Sequence, residues 1–227
     1  MQLSNDAGEL ADYWDWAHAI RDWPRGAELP IVQHVLEEVS DRDQILYIGV
    51  GDGRNFLRLA DSGLDIYGCD ASRVAVDRLL SVHPSLRGRL LHRKFPEMAE
   101  DRAGFDVVIA SRVLIRPDLD GSHADLSAIR SVLRPEGRLF AEWTAAGTDP
   151  WPGWGSAALD ARGNLRLDYP SERVQKIYLS FLGCVELVES AGFTVDRGPV
   201  PIDLPRHRYP GGIVRDWVLS ARANPQP

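Results

Sequence analysis

Gly49, Gly51 and Gly53, with Asn55 just beyond them and Asp70 further along, are the residues whose types and spacing suit chemistry. Alternate glycines let the backbone pass close to a ligand, and the free amides of a helix that starts after them favour an anionic group. Asp70 falls about 20 residues beyond the turn, at the end of the next apolar run, where a carboxylate accepts hydrogen bonds from a ribose diol. Together they describe a site for a nucleotide-type cofactor. A dinucleotide turn usually reads Gly-x-Gly-x-x-Gly. Here Arg54 stands at the third-glycine position, which disfavours a nicotinamide oxidoreductase.

The elements that must position these residues follow from periodicity. The β-branched apolar run 45–48 predicts a buried strand, and a helix is expected over 55–59. A strand over 64–69, a helix over 71–83, a short strand over 89–93 and a strong strand over 105–110 come next. A helix over 122–133 then leads through Arg134-Pro135-Glu136-Gly137 into a strand over 138–143. Alternating strands and helices imply a parallel sheet with helices on both faces, and ligands bind such sheets at the carboxyl ends of the strands. That rule selects Ser111, Arg112 and Trp143. Arg112 also reads as a surface ion pair, and Ser111 as a turn hydroxyl bonded to backbone.

Beyond Trp143 the pattern breaks for about 30 residues, and connections this long are often functional. Trp143, Trp151, Trp154 and Tyr169 among prolines and glycines read as the wall of a pocket for a flat, apolar or aromatic substrate, or else as anchors of a loop or subunit contact. An extended segment over 173–178, a helix over 181–191 closed by Gly192, and strands over 193–197 and 213–220 complete the chain. The link 200–212 carries Arg206, His207, Arg208 and Tyr209 to the pocket rim. His18, His123 and His207 are candidate bases by location.

Ahead of the first strand, Leu10, Tyr13, Trp14, Trp16 and Ala17 recur at helical intervals, and Pro30 opens a second helix over 30–39. The chain of 227 residues, 44% hydrophobic and 26% charged, has the composition of an ordinary globular domain. A net charge of −7 disfavours nucleic acid as a partner. Cys69 and Cys184 read as buried free thiols, and no cysteine–histidine cluster suggests a metal. No apolar run is long enough for a membrane span and the polar N-terminus lacks a signal-peptide core, so a cytoplasmic protein is expected.

The motifs ILYIGVGDG, GCDAS, FDVVIASRVL and AIRSVLRPEGRLFAEW, in order over about a hundred residues, with ESAGF near the end, resemble the class I S-adenosylmethionine-dependent methyltransferases. The resemblance implies a Rossmann-like, doubly wound, mostly parallel seven-stranded sheet with helices on both faces, the last strand antiparallel, and an N-terminal helical cap. As one domain over 1–227, it divides into the cap (1–44), a cofactor-binding core (45–143), a substrate-side insertion (144–176) and C-terminal helix and strands (177–227). It implies S-adenosylmethionine held by Gly49, Gly51, Gly53 and Asn55, with Asp70 on the ribose. The N-terminal helix becomes a lid, Tyr13 offering a π-face to the sulfonium and Arg21 reaching the cofactor carboxylate, or else packs its rings on the core. Ser111 and Arg112 face the methyl group, with His207 a further catalytic candidate. Tyr47 stands where the family carries an acid. No Asn-Pro-Pro-Tyr-like run or Pro-Cys pair follows the fourth strand, which leaves transfer to an oxygen, nitrogen or carbon of a small molecule. The alternative is a non-catalytic cofactor-binding module or partner subunit. The oligomeric state stays open.

Overall fold

The computed structural model describes residues 7–20, 29–95, 97, 104–114, 116, 118–170, 174–206 and 212–225. Arg21 and His207 lie outside them. Two helices, α1 (Ala7–Ile20) and α2 (Pro30–Glu38), precede the sheet. The alternating core runs β1 (Gln44–Ile48), α3 (Arg54–Ala60), β2 (Asp65–Asp70), α4 (Arg73–Val82), β3 (Leu90–His92), β4 (Phe105–Ser111), α5 (Leu119–Val132) and β5 (Leu133–Thr144). β6 (Ala157–Leu159), β7 (Leu165–Tyr169) and β8 (Val174–Tyr178) follow, then α6 (Phe181–Ser190), β9 (Phe193–Pro205) and β10 (Ile213–Ala223).

The main sheet has seven strands in the order β3-β2-β1-β4-β5-β10-β9. β1 pairs in parallel with β2 and β4, and β4 with β5, whereas β10 runs antiparallel to both β5 and β9. This is the expected Rossmann-like topology. Register fixes what each face carries, because side chains alternate along a strand. Tyr47 lies opposite Ile109, Ser111 opposite Glu142, and Thr144 opposite Asp216. These polar residues therefore share a face with Phe140 and Val218, the face that packs against Val32, Val35, Phe56 and Leu59. Val108, Ala110, Leu139, Ala141 and Trp143 point to the other face, against Leu126, Ile129, Leu187 and Val188.

Four elements differ from the expectation, one of them β5, which begins at Leu133 and so takes in residues 134–137, expected as a turn. The insertion after Trp143 is not an irregular connection, because β6, β7 and β8 form their own three-stranded antiparallel sheet. Short strands amid glycine and proline leave little periodicity to read. The C-terminal hairpin is longer than predicted: β9 continues through Pro205, its prolines tolerated because it is the edge strand, where a missing N–H breaks no central ladder. α5 begins before Ser122, its first turn capped by Asp118, whose carboxylate accepts from the Gly121 amide at 2.7 Å. Among the described residues no helix is long and apolar enough to cross a membrane.

Candidate active site

The turn after β1 is built by glycines in left-handed conformations, at φ +71° for Gly49, +53° for Gly51 and +82° for Gly53. A methyl group on Gly49 would collide with Val113, and one on Gly53 would come within 2.6 Å of Leu79, so these two glycines let the turn pack on the protein. At Gly51 a methyl would meet nothing nearer than His18 Cε1 at 3.9 Å. There the backbone borders open space, which is the cradle a cofactor needs.

Asp70 ends β2 beside this turn. Its Oδ2 accepts from the Gly51 amide and its Oδ1 from the Ser72 amide, both at 2.8 Å. Each oxygen keeps a second lone pair for a diol. Burial pushes the Asp70 carboxyl up, opposed by those two amides. The turn and Asp70 thus fit S-adenosylmethionine: glycine backbone against an open cradle and an acceptor for its ribose.

α1 closes over this place. Asp15 accepts from the Ser72 hydroxyl at 2.7 Å and the Val74 amide at 3.1 Å, and so pins α1 to the start of α4. Burial raises the Asp15 carboxyl, but the hydrogen bonds to Ser72 and Val74 outweigh it, and its pKa is lowered. Arg78 holds the far end through the His18 carbonyl. His18 is buried against the glycine turn, and desolvation lowers its pKa, so the ring is held neutral. Tyr13 meets Trp14 edge to face and Trp16 at a tilt, with centroids 5.2 and 5.9 Å apart, and Trp16 is half exposed.

Beyond the turn lies a polar network that the sequence did not reveal. Asn55 is buried, and its carboxamide is committed to protein groups: Oδ1 accepts from the Leu29 amide, while Nδ2 donates to the Tyr47 hydroxyl at 3.1 Å and to Ser111 Oγ at 3.4 Å. Ser111 donates in turn to Glu142. Burial pushes the Tyr47 phenol up to about 12. Arg112 has φ 55°, uncommon for any residue but glycine, with its amide tied to the Glu142 carbonyl and its guanidinium paired with Asp216.

Glu142 and Asp216 are both fully buried and stand in hydrogen-bonding reach of each other. Glu142 Oε1 and Asp216 Oδ1 find no donor among the described residues. One proton shared by the pair satisfies both. Burial, with Asp216 adding repulsion, pushes Glu142 up to about 7 against the attraction of Arg112. Burial raises Asp216 as well, but Arg112 bonds it directly, so the proton belongs to Glu142. A signal existed: Glu142 and Asp216 are acids inside the apolar runs of central strands, where unpaired charge is costly.

Trp151, Trp154 and Tyr169 come together around a cavity of about 240 Å³ that Thr148, Lys176, Tyr178, Arg206 and Val214 also line. The Trp154 indole donates to the Tyr169 hydroxyl at 2.7 Å, which bonds the Tyr178 hydroxyl at 2.7 Å. Trp143 is not among the lining residues. It is buried on the opposite face of the sheet, in the core, with its indole nitrogen unpartnered among the described residues. Ser111 is bonded to Asn55 beyond the glycine turn, and Arg112 pairs with Asp216 of β10, two residues along that strand from the cavity-lining Val214.

Residues 45–137 match the family described as a methyltransferase domain. None of the curated proteins matches the sequence. The fold is similar to that of a Burkholderia thailandensis 1,6-didemethyltoxoflavin-N1-methyltransferase with 1,6-didemethyltoxoflavin and S-adenosylhomocysteine bound, at 17% identity and TM-score 0.68, over 98% of this chain and 91% of that one. It is similar to a SAM-dependent methyltransferase from Methanosarcina mazei, at 18% identity and TM-score 0.64, over 88% of this chain and 100% of that one. The magnesium protoporphyrin IX methyltransferase of Synechocystis with SAM bound is 15% identical, with TM-score 0.62, over 99% of this chain and 100% of that one. Residues 45–137 match a methyltransferase domain and the sheet built around them has the Rossmann-like topology of the methyltransferases of known structure above, which together support S-adenosylmethionine-dependent methyl transfer.

Proposed function

We propose that the chain methylates an oxygen, nitrogen or carbon atom of a small, flat, apolar or aromatic molecule. The observation that carries this reading is the pair Ser111–Arg112: Ser111 bonds Asn55 beyond the glycine turn, and Arg112 pairs with Asp216 of β10, two residues along that strand from Val214 of the aromatic cavity. Bound S-adenosylmethionine supplies an electrophilic methyl group on a sulfonium. Gly49, Gly51, Gly53 and Asp70 hold it, with Asn55 fixing the start of α3. α1 covers this end and keeps water out, while Trp151, Trp154 and Tyr169 orient the acceptor. Alignment of reactants supplies much of such an acceleration. The toxoflavin precursor in the Burkholderia relative and the porphyrin named for the Synechocystis relative are ring compounds, which supports an acceptor of this kind.

Calorimetric titration with S-adenosylmethionine, S-adenosylhomocysteine and NAD tests the cofactor side. Micromolar binding of the first two and none of the third is expected, followed by methyl transfer in a panel of small aromatic acceptors. Cofactor binding with transfer only to protein or nucleic acid would refute the small-molecule reading.

A further inference from the structure

His18 meets the glycine turn from its open side. Among the described residues, the only atom within 4 Å of the point where a side chain on Gly51 would begin is His18 Cε1, at 3.9 Å. The ring is 8% exposed, and its place is fixed from three directions. Asp15 pins α1 to Ser72 and Val74, Arg78 of α4 holds the His18 carbonyl at 3.1 Å, and the Trp14 ring meets the imidazole at a tilt with centroids 6.2 Å apart. A ligand seated on the Gly51 backbone therefore touches the edge of this ring. The charges that face it are Asp70 at the end of β2, Asp52 in the glycine turn, Arg78 on α4 and Asp15 on α1 itself. Burial and Arg78 favour the neutral ring, the three carboxylates favour the charged one, and burial prevails.

S-adenosylmethionine and S-adenosylhomocysteine share their adenosine, carboxylate and ammonium groups. They differ in one methyl group and one positive charge, both at sulfur. A neutral ring beside the cradle admits either. An imidazolium there, in a place shielded from water, repels the sulfonium and leaves the neutral thioether unopposed. Building on the S-adenosylmethionine reading above, we propose that His18 is a cofactor-binding residue: its ring edge roofs the Gly51 cradle, and its charge sets the preference between the methyl donor and the demethylated product.

The test is calorimetric titration of the natural protein with the two ligands in steps from pH 7 down to pH 5. S-adenosylmethionine should lose affinity relative to S-adenosylhomocysteine by about three- to tenfold as His18 gains its proton. Asp70 faces the same ribose in both ligands, so the ratio of the two affinities, and not either alone, reports on His18. In His18→Gln, which stays neutral, the ratio should be flat, and retained binding of S-adenosylhomocysteine shows that the variant is folded; His18→Asn serves if it is not. Contact is read separately at pH 7: the NMR resonance of the His18 Cε1 proton, identified by its loss in the variant, should move when S-adenosylhomocysteine binds. A flat ratio in the natural protein, a ratio that falls equally in the variant, or an unmoved resonance at saturation would overturn the proposal and leave the methyltransferase reading standing. Failure of both ligands to bind would instead overturn that reading.

Discussion

Replacing Glu142 with Gln should make the protein more stable at pH 8 and leave it nearly unchanged at pH 4.5. Glu142 faces Ser111 from β4, Asp216 from β10, and the charges of Arg112 and Arg54. Its carboxyl is raised from 4.5 to about 7, chiefly by burial. Below pH 4.5 the group is protonated in both the folded and the unfolded chain, and the native state has its full stability. Between 4.5 and about 7 the unfolded chain releases this proton while the folded one keeps it, so native stability falls as pH rises. Above 7 both states are ionised and the loss levels off.

Each pH unit between those limits is worth about 1.4 kcal/mol, so the loss reaches at most about 3 kcal/mol. Glutamine removes the titration. It still accepts from Ser111, and its amide can donate to Asp216 Oδ1, which now lacks a donor. At pH 8 the variant should therefore exceed the natural protein by up to about 3 kcal/mol, or about 6–12 °C in melting temperature for a domain of this size. Urea denaturation followed by tryptophan fluorescence at half-unit steps from pH 4.5 to 8.5 measures this. His18 and His34, whose pKa values burial lowers, titrate identically in both proteins, so the difference between the two curves isolates Glu142. Curves that run parallel across the window would refute the shared-proton account.

Asp216→Asn should act in the opposite sense, because it leaves Arg112 without its carboxylate; a loss of about 3–5 kcal/mol in the same denaturation assay is expected. Gly51→Ala should weaken S-adenosylmethionine binding and cost about 1–2 kcal/mol of stability through its left-handed backbone without a clash, whereas Gly49→Ala adds a collision with Val113 to the same backbone strain and should be the more destabilising of the two. Calorimetry and thermal melts on the pair separate the two effects. Asp15→Ala removes the acceptor for Ser72 and Val74 and should cost about 1 kcal/mol. Protease cleavage within α1 should become faster and cofactor affinity should fall; unchanged cleavage would mean that α1 is held by packing alone.

The half of the site proposed to hold the cofactor was legible because its parts are local. A glycine turn, an acid at the end of the next strand and an apolar run before each are neighbours in sequence, and backbone conformation alone dictates glycine at Gly49, Gly51 and Gly53. The sheet order was legible for the same reason, apart from the short strands of the insertion. Glu142 and Asp216 were not, since what unites them is the antiparallel register of β5 and β10 across a separation of more than 70 residues. Trp143 misleads by parity: one residue from Glu142, it points to the opposite face and fills the core. Lys176 and Arg206 meet only because β8 and the end of β9 approach the same cavity.

That register also gives Tyr47 a physical reason. An acid at position 47 would lie on the sheet face that already buries Glu142 and Asp216, with Arg112 the only cation bonded to them among the described residues. A third buried carboxylate there would lack a counter-ion and would have to take up a proton. The Tyr47 hydroxyl accepts from Asn55 and stays neutral, its phenol pushed far above physiological pH. A network of one guanidinium, one carboxylate and one shared proton is thereby closed without excess charge. In this chain the acid that the resemblance expects on the first strand is replaced by a pair further across the sheet: Glu142 on β5 keeps the proton and is joined through Ser111 to Asn55, while Asp216 on β10 carries the negative charge beside Arg112.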